Sequence, residues 1–246
     1  MDMATLRGDR VLVVIPAFNE SAAIGAVVAD VRHCVPAADI LVVDDGSRDD
    51  TAEIARRAGA MVARLPFNLG VGGAMRTGFR YAARNGYDAV VQVDGDGQHD
   101  ASFIPLLLDG LRETDLVIGA RFAGAGDYAV RGPRRWAMRS LSTIMSTLTG
   151  AQLADTTSGF RATGRRAIHV FAHHYPTEYL GDTIETLVIA RKTGLTVSQV
   201  PVAMVPRSTG RPSRGPIGAS LDLARACAVV VLGLVRDWKI APETVI

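Results

Sequence analysis

Cysteine is nearly missing from this sequence: its 246 residues include only Cys34 and Cys227. That excludes a disulfide framework and a cysteine-based zinc site, and it fits a reducing compartment. An excess of either charge is missing too. Lys+Arg 27 against Asp+Glu 25 leaves a formal +2. This argues against a general nucleic-acid binder, which carries concentrated base. The apolar stretch over 226–235 falls short of the roughly 20 residues that span a bilayer. The N-terminus, Met-Asp-Met-Ala-Thr-Leu-Arg, has no apolar signal core. These absences predict a cytoplasmic location. What is present is ordinary for a folded chain: 48% apolar and 21% charged residues exclude wholesale disorder. The length predicts one α/β domain over 1–216, with an appended amphipathic or apolar helix over 217–246.

Two periodicities alternate through the first half. Short apolar runs at 11–15, 40–43, 61–65, 89–93 and 116–118 read as strands, most of them buried on both faces. Between them the spacing turns helical. Ile24, Val27, Val28 and Val31 form one stripe over 21–32, and further helices are expected over 50–58, 71–84 and 103–111. This βαβα order predicts a mostly parallel central sheet flanked by helices. After Arg121 the pattern loosens. Residues 122–135 read as a loop, 138–148 as a helix, 155–161 as a polar turn, 182–192 as a helix and 197–205 as a strand. Residues 206–216, rich in Pro and Arg, read as a loop before the last helix.

The polar clusters fall where strands end. Pro16-Ala-Phe-Asn-Glu20 follows the first strand and Asp44-Asp-Gly-Ser47 the second. Asp94-Gly-Asp-Gly-Gln-His-Asp100 follows the strand over 89–93. Carboxyl ends of parallel strands share one edge of the sheet, where open α/β sheets bind ligands. Glu20, Asp44, Asp45, Asp94 and Asp96 would repel one another there, and a divalent cation would offset the repulsion. Asp94, Asp96 and Gln98 supply hard oxygen donors, suited to Mg²⁺ or Mn²⁺ bridging a diphosphate. The same residue types also form ordinary turns. Asp44 and Asp45 have two readings: they accept hydrogen bonds from a base or ribose, or they only turn the chain. A nicotinamide-type G-x-G-x-x-G fails at Met75 and follows the third strand instead of the first. His99 is a possible metal ligand, but a place behind the donors or an exposed position is favoured over ligation.

Taken in order, these motifs resemble a known family. Val-Ile-Pro-Ala-Phe-Asn-Glu, Val-Val-Asp-Asp-Gly-Ser, Asn-Leu-Gly, Val-Asp-Gly-Asp-Gly-Gln-His and Asp-Thr-Thr-Ser-Gly-Phe-Arg161 are similar to motifs of family 2 glycosyltransferases of the GT-A fold. Within it, the branch of dolichyl-phosphate mannose synthases and polyprenyl-phosphate glycosyltransferases matches best, over residues 10–215. The resemblance implies inverting transfer from a GDP- or UDP-linked sugar, with metal on the diphosphate. It implies nucleotide contacts from Pro16, Phe18, Glu20 and Asp45, metal binding by Asp94, Asp96 and Gln98, and Arg121 near the phosphates. Arg131, Arg134 and Arg135 are implied alternatives for the acceptor phosphate. The family often carries an apolar residue where Gly97 stands, and its longer members continue into transmembrane helices.

The chemistry then turns on the acceptor. Departure of a nucleoside diphosphate builds negative charge, which a cation held by Asp96, with Arg121 nearby, would stabilise. A polyprenyl phosphate has a second pKa near about 6, so it is mostly dianionic and needs no base. It needs positive charge, for which Arg161, Arg207, Arg211 and Arg214 join the arginines above. A hydroxyl acceptor on a soluble glycan or metabolite would need a general base. Asp182 and Glu185, on one face of an expected helix, are the candidates. A nucleotide-sugar-binding protein without turnover is the third reading. Beside such chemistry, the apolar stretch over 226–235 is a candidate membrane-interfacial helix, with a core helix or a homodimer contact as the alternative.

Overall fold

Every residue of β1 (Val11–Ala17) is buried, and alternate ones feed two different cores, as the pleat of a strand requires. Leu12 and Val14 pack on one face with Met75, Phe79, Phe171 and Leu187. Val13 and Ile15 pack on the other with Val27, Val28, Ile104 and Leu107. The computed structural model describes residues 10–121, 142–143, 145–176 and 182–205. Within them β1 is joined by β2 (Asp39–Asp44), β3 (Met61–Arg64), β4 (Ala89–Gln92), β5 (Leu116–Ala120), β6 (Arg161–Gly164) and β7 (Val197–Pro201). They form one sheet in the order β3-β2-β1-β4-β6-β5-β7.

Helices cover both faces. α1 (Ile24–Cys34) and α4 (Ile104–Gly110) lie on one. α3 (Gly70–Arg84), α5 (Arg165–His174) and α6 (Asp182–Lys192) lie on the other. α2 (Thr51–Arg57) adds Ala55 to the core under α1 and α4. α3 and α5 are joined by an aromatic contact: the Phe79 and Phe171 rings meet edge to face at 5.3 Å, a preferred geometry for such pairs.

The sheet is mixed. β6 runs antiparallel between β4 and β5, pairing Gln92 and Ile118 with Arg161. The polar turn expected over 155–161 ends where this strand begins, and no strand is expected over 161–164, because Arg-Ala-Thr-Gly carries no apolar run. Nor is α5 expected, because Arg165, Arg166, His169, His173 and His174 dilute the stripe of Ala167, Ile168 and Phe171. β7 ends at Pro201, earlier than expected, although Val202 still donates to the Ala120 carbonyl at 3.2 Å. Of the helix expected over 138–148, residues 142–143 and 145–148 are described and helical. The expected loop over 122–135 and everything from 206 onward lie outside the described residues. Among the described residues no helix is long and apolar enough to cross a membrane.

Helix α3 approaches β1 through Gly78. A Cβ there would stand 2.5 Å from Val14 Cγ1 and 2.9 Å from Cγ2, on a buried, branched side chain. Gly78→Ala gains about 1 kcal/mol of helix propensity but overpacks by about 1–3 kcal/mol. Net destabilisation is the expected outcome in urea unfolding; a stabilised variant would contradict this contact.

Candidate functional site

The first two strand ends are stitched together by main-chain groups and short polar side chains. Asp45 N–H donates to the Ala17 carbonyl at 2.8 Å. Asn19 holds φ at 56°, the left-handed region that asparagine tolerates. Its N–H donates to Ser47 Oγ at 2.9 Å, and its Oδ1 accepts the Arg48 N–H. Glu20 N–H donates to Thr51 Oγ1, and Ser21 N–H to Asp49. The backbone of Pro16 to Glu20 is thereby set against the Asp44–Ser47 turn. Pro16 is buried, Glu20 half-buried and Phe18 43% exposed, so of these three the Phe18 ring is the one presented to solvent.

The two aspartates of the second cluster act differently. Asp44 is fully buried; its Oδ1 accepts the Ser47 N–H at 3.0 Å. Its Oδ2 has no aligned hydrogen bond but faces Arg64 Nε at 3.2 Å. Asp45 accepts the Leu69 and Gly70 N–H groups at 2.7 and 2.8 Å, one on each oxygen. It thus satisfies donors at the start of α3, which a helix leaves without internal partners. Burial pushes the Asp45 carboxyl above its ordinary value; the two N–H donors oppose this and Asp44 adds to it. The turn reading therefore describes Asp44 well, since its carboxylate is buried and accepts from the Ser47 N–H. Beside them an open recess is lined by Gly46, Ser47, Arg64, Leu65 and Pro66, with exposed Phe67 and Leu69 following in the chain.

The third cluster begins one residue past the strand that supports it. The Asp94 side chain is 39% exposed. Gly95 passes β1 so closely that a Cβ would lie 3.1 Å from the Pro16 carbonyl oxygen. Asp96 Oδ1 accepts the Gln98 N–H at 3.1 Å, and Gly97 takes φ 76°. Both Asp96 and Gln98 are half-buried. Among the described residues no three His, Cys, Asp or Glu side chains converge as a metal-holding group. Asp94, Asp96 and Gln98 stand within five residues on this one turn and carry hard oxygen donors, the type of atom a divalent cation takes. His99 is buried and its ring lies against Phe160, so the exposed alternative does not hold.

Because β6 is antiparallel, the segment before it also reaches this edge. Gly159 lies so near that a Cβ would stand 3.3 Å from Asp94 Oδ1. Asp155, 1% exposed, receives Arg121 Nε at 2.6 Å and Nη2 at 3.0 Å. Nη2 also donates to Thr157 Oγ1. Arg121 thus follows β5 at this edge, with its guanidinium bidentate on a carboxylate. Arg161 corrects the acceptor set. It is 4% exposed and donates to the carbonyls of Ser158, Thr156 and Thr183 and to Thr186 Oγ1. A guanidinium so engaged ties the 156–158 turn to α6 and is not presented to a ligand at the surface. Glu185 is half-buried on α6; the Asp182 side chain lies outside the described residues, as do Arg131, Arg134, Arg135, Arg207, Arg211 and Arg214. Asn19, Gly159 and Phe160 lie inside motifs that the sequence displays, but no individual role is expected of them there; the Ser-Gly-Phe step is the available signal, a glycine between a hydroxyl and an aromatic residue.

The family described as "Glycosyl transferase family 2" matches residues 12–173. An undecaprenyl-phosphate mannosyltransferase of Micrococcus luteus is 33% identical over 244 residues, covering 94% of this chain and 96% of that protein. A polyprenol monophosphomannose synthase of Mycolicibacterium smegmatis is 31% identical, covering 85% of this chain and 83% of that one. Among solved structures, glucosyl-3-phosphoglycerate synthase of Mycobacterium tuberculosis, in complex with Mn²⁺, UDP and glucosyl-3-phosphoglycerate, superposes with a TM-score of 0.73. The identity there is 22%, with 96% of this chain and 83% of that chain covered, so the likeness speaks to the fold. That fold is GT-A, as the motifs implied.

The Arg121–Asp155 pair carries a pH signature. Burial alone would raise the Asp155 carboxyl, but the hydrogen bonds and charge of Arg121 outweigh it and hold the group below the usual range. A depressed folded value means stability that is present above the unfolded pKa, near about 3.9, and lost as pH falls through the folded one. Asp155→Asn is expected to cost about 3 kcal/mol at pH 7 in urea unfolding, with the gap to wild type closing in acid. A gap independent of pH would refute the assignment.

Proposed function

Since the chain belongs to glycosyl transferase family 2, we propose that it moves a sugar from a nucleotide-sugar donor to a polyprenyl phosphate, with inversion and with Mg²⁺ or Mn²⁺ as cofactor. The observation that carries this reading is the Asp94-Gly-Asp96 turn after β4, with the Asp94 side chain 39% exposed and Gln98 two residues further along the same turn. Hard oxygen donors partly open to solvent suit a cation that arrives with a diphosphate. The nucleotide-sugar donor, GDP- or UDP-linked, would then lie along the edge from the Asp45 turn to Asp96. Pro16, Phe18 and Glu20 flank the nucleotide, and Phe18 offers its exposed ring to the base. Asp45 acts through the α3 start that it holds. Asp44 supports the turn.

When bound, the cation would neutralise charge building on the leaving diphosphate. The chain's own residues do the rest. Asp94, Asp96 and Gln98 supply the oxygens that hold it. Arg121, oriented by Asp155, donates hydrogen bonds to phosphate with its charge already shared. The acceptor phosphate oxygen forms a bond to the anomeric carbon as the bond to the β-phosphate oxygen breaks, on the opposite face. No proton moves, because the acceptor is already ionised at neutral pH. Arg131, Arg134, Arg135, Arg207 and Arg211 are the cations assigned to that phosphate, with Arg161 withdrawn from the set. Asp182 and Glu185 would be needed only for a hydroxyl acceptor. The reaction is placed at the cytoplasmic membrane face, with residues 217–246 as the peripheral contact.

The test is a panel of GDP- and UDP-sugars with polyprenyl phosphate and Mn²⁺ or Mg²⁺, scored for nucleoside diphosphate release and a glycolipid product. Asp96→Ala is expected to lower transfer by about a hundred-fold or more, and excess EDTA to abolish it. Full transfer with the metal removed would sink the metal mechanism. Glu185→Gln separates the acceptors: transfer to the lipid phosphate persists, whereas a collapse would favour the hydroxyl reading.

A further inference from the structure

His99 turns both ring nitrogens toward one neighbour. Its Nδ1 accepts the backbone N–H of Asp94 at 3.0 Å. An accepting Nδ1 carries no proton, so in the neutral ring the proton sits on Nε2. Nε2 stands 3.5 Å from Asp94 Oδ2. The imidazole thus meets Asp94 at its main chain and at its carboxylate, closing the loop between residues 94 and 99 from inside.

The ring itself is fixed. It lies nearly flat on Phe160, with centroids 4.8 Å apart and planes 14° apart, and Phe160 is fully buried. The strand-like extension after β7 grips the loop from outside. His99 bridges Met204, and Val205 N–H donates to the Gln98 carbonyl at 3.0 Å. On the other side of the carboxylate, Gln92 Nε2 is 3.4 Å from Oδ1. Gly159 leaves no side chain in the way: a Cβ there would stand 3.4 Å from Oδ2. Metal-binding groups are commonly oriented by partners behind them, which reduces the freedom lost on binding. Here that partner is a histidine, a residue more familiar as a ligand.

The geometry points to His99 as a positioning residue that aims the Asp94 carboxylate at a divalent cation bound with a nucleoside diphosphate. It does not touch the cation. This rests on the metal reading given above, and it adds the residue that makes the site preformed.

The test is Mn²⁺ uptake by the full chain, read from the EPR signal of free Mn²⁺ with UDP and with GDP present. His99→Phe keeps a ring against Phe160 and removes both nitrogens. His99→Asn restores an acceptor where Nδ1 stood but does not reach the Nε2 position. His99→Phe is expected to weaken Mn²⁺ uptake by about ten-fold or more, and His99→Asn to recover part of it. Binding of UDP or GDP without metal should stay within about two-fold of wild type in both. Pulsed EPR of the wild-type Mn²⁺ complex should show no imidazole nitrogen coupling. Such a coupling would make His99 a ligand and overturn the inference. So would a folded His99→Phe with wild-type uptake, or thermal destabilisation with uptake unchanged. If His99→Phe fails to fold, His99→Asn decides, and wild-type uptake in it overturns the role of Nε2. A wild-type chain that takes up no Mn²⁺ with either nucleotide would overturn the metal reading first, and this inference with it.

Discussion

Arg161 pairs with Gln92 on one side and Ile118 on the other, and this register sets what can stand at the edge of the sheet. Had β6 entered parallel, the residues before it would lie at the far end. Entering antiparallel, it brings Asp155 to Phe160 against the ends of β4 and β5. Three arrangements follow from that reversal. Asp155 meets Arg121, Gly159 slides beside the Asp94 carboxylate, and Phe160 supports the His99 ring. The burial of Arg161 is the anchor. Its four neutral oxygen acceptors hold the turn that makes the rest of these contacts.

The edge handles its negative charge in a way that a count of carboxylates does not suggest. Asp44 faces Arg64, Asp45 is satisfied by two N–H groups and Asp155 is paired. Repulsion among the cluster is thus met largely by the protein itself. Asp94 and Asp96 stand on the loop after β4, each partly open to solvent, and there too the protein supplies neighbours, His99 and Gln92 beside the Asp94 carboxylate.

Much of this was legible in the residues. Buried strands declare themselves by continuous apolar runs, so β1, β2 and β4 and the edge formed by their ends could be read directly. Asp94, Asp96 and Gln98 could be placed on one loop because the strand before them is unambiguous. The second half was less legible for physical reasons. β6 is short and begins with an arginine, and its direction is set by partners far away in the chain. Arg161 has the appearance of a surface cation; only its register reveals an interior one. Likewise, nothing local distinguishes Asp44 from Asp45, since their difference depends on whether Arg64 or the start of α3 comes within reach.

The bond from Asp45 to Gly70 closes a circuit in the chain. The polypeptide leaves β2, runs through α2 and β3, and returns to the carboxylate from which it departed. Along the way Leu65 N–H binds the Asp44 carbonyl and Gly46 lies against the Phe67 backbone. Residues 45 to 70 are therefore an indivisible module for anyone recombining this chain with its relatives. A crossover placed inside it would pair one parent's carboxylate with the other's helix start, whereas junctions outside it would transplant the whole recess with its closure intact.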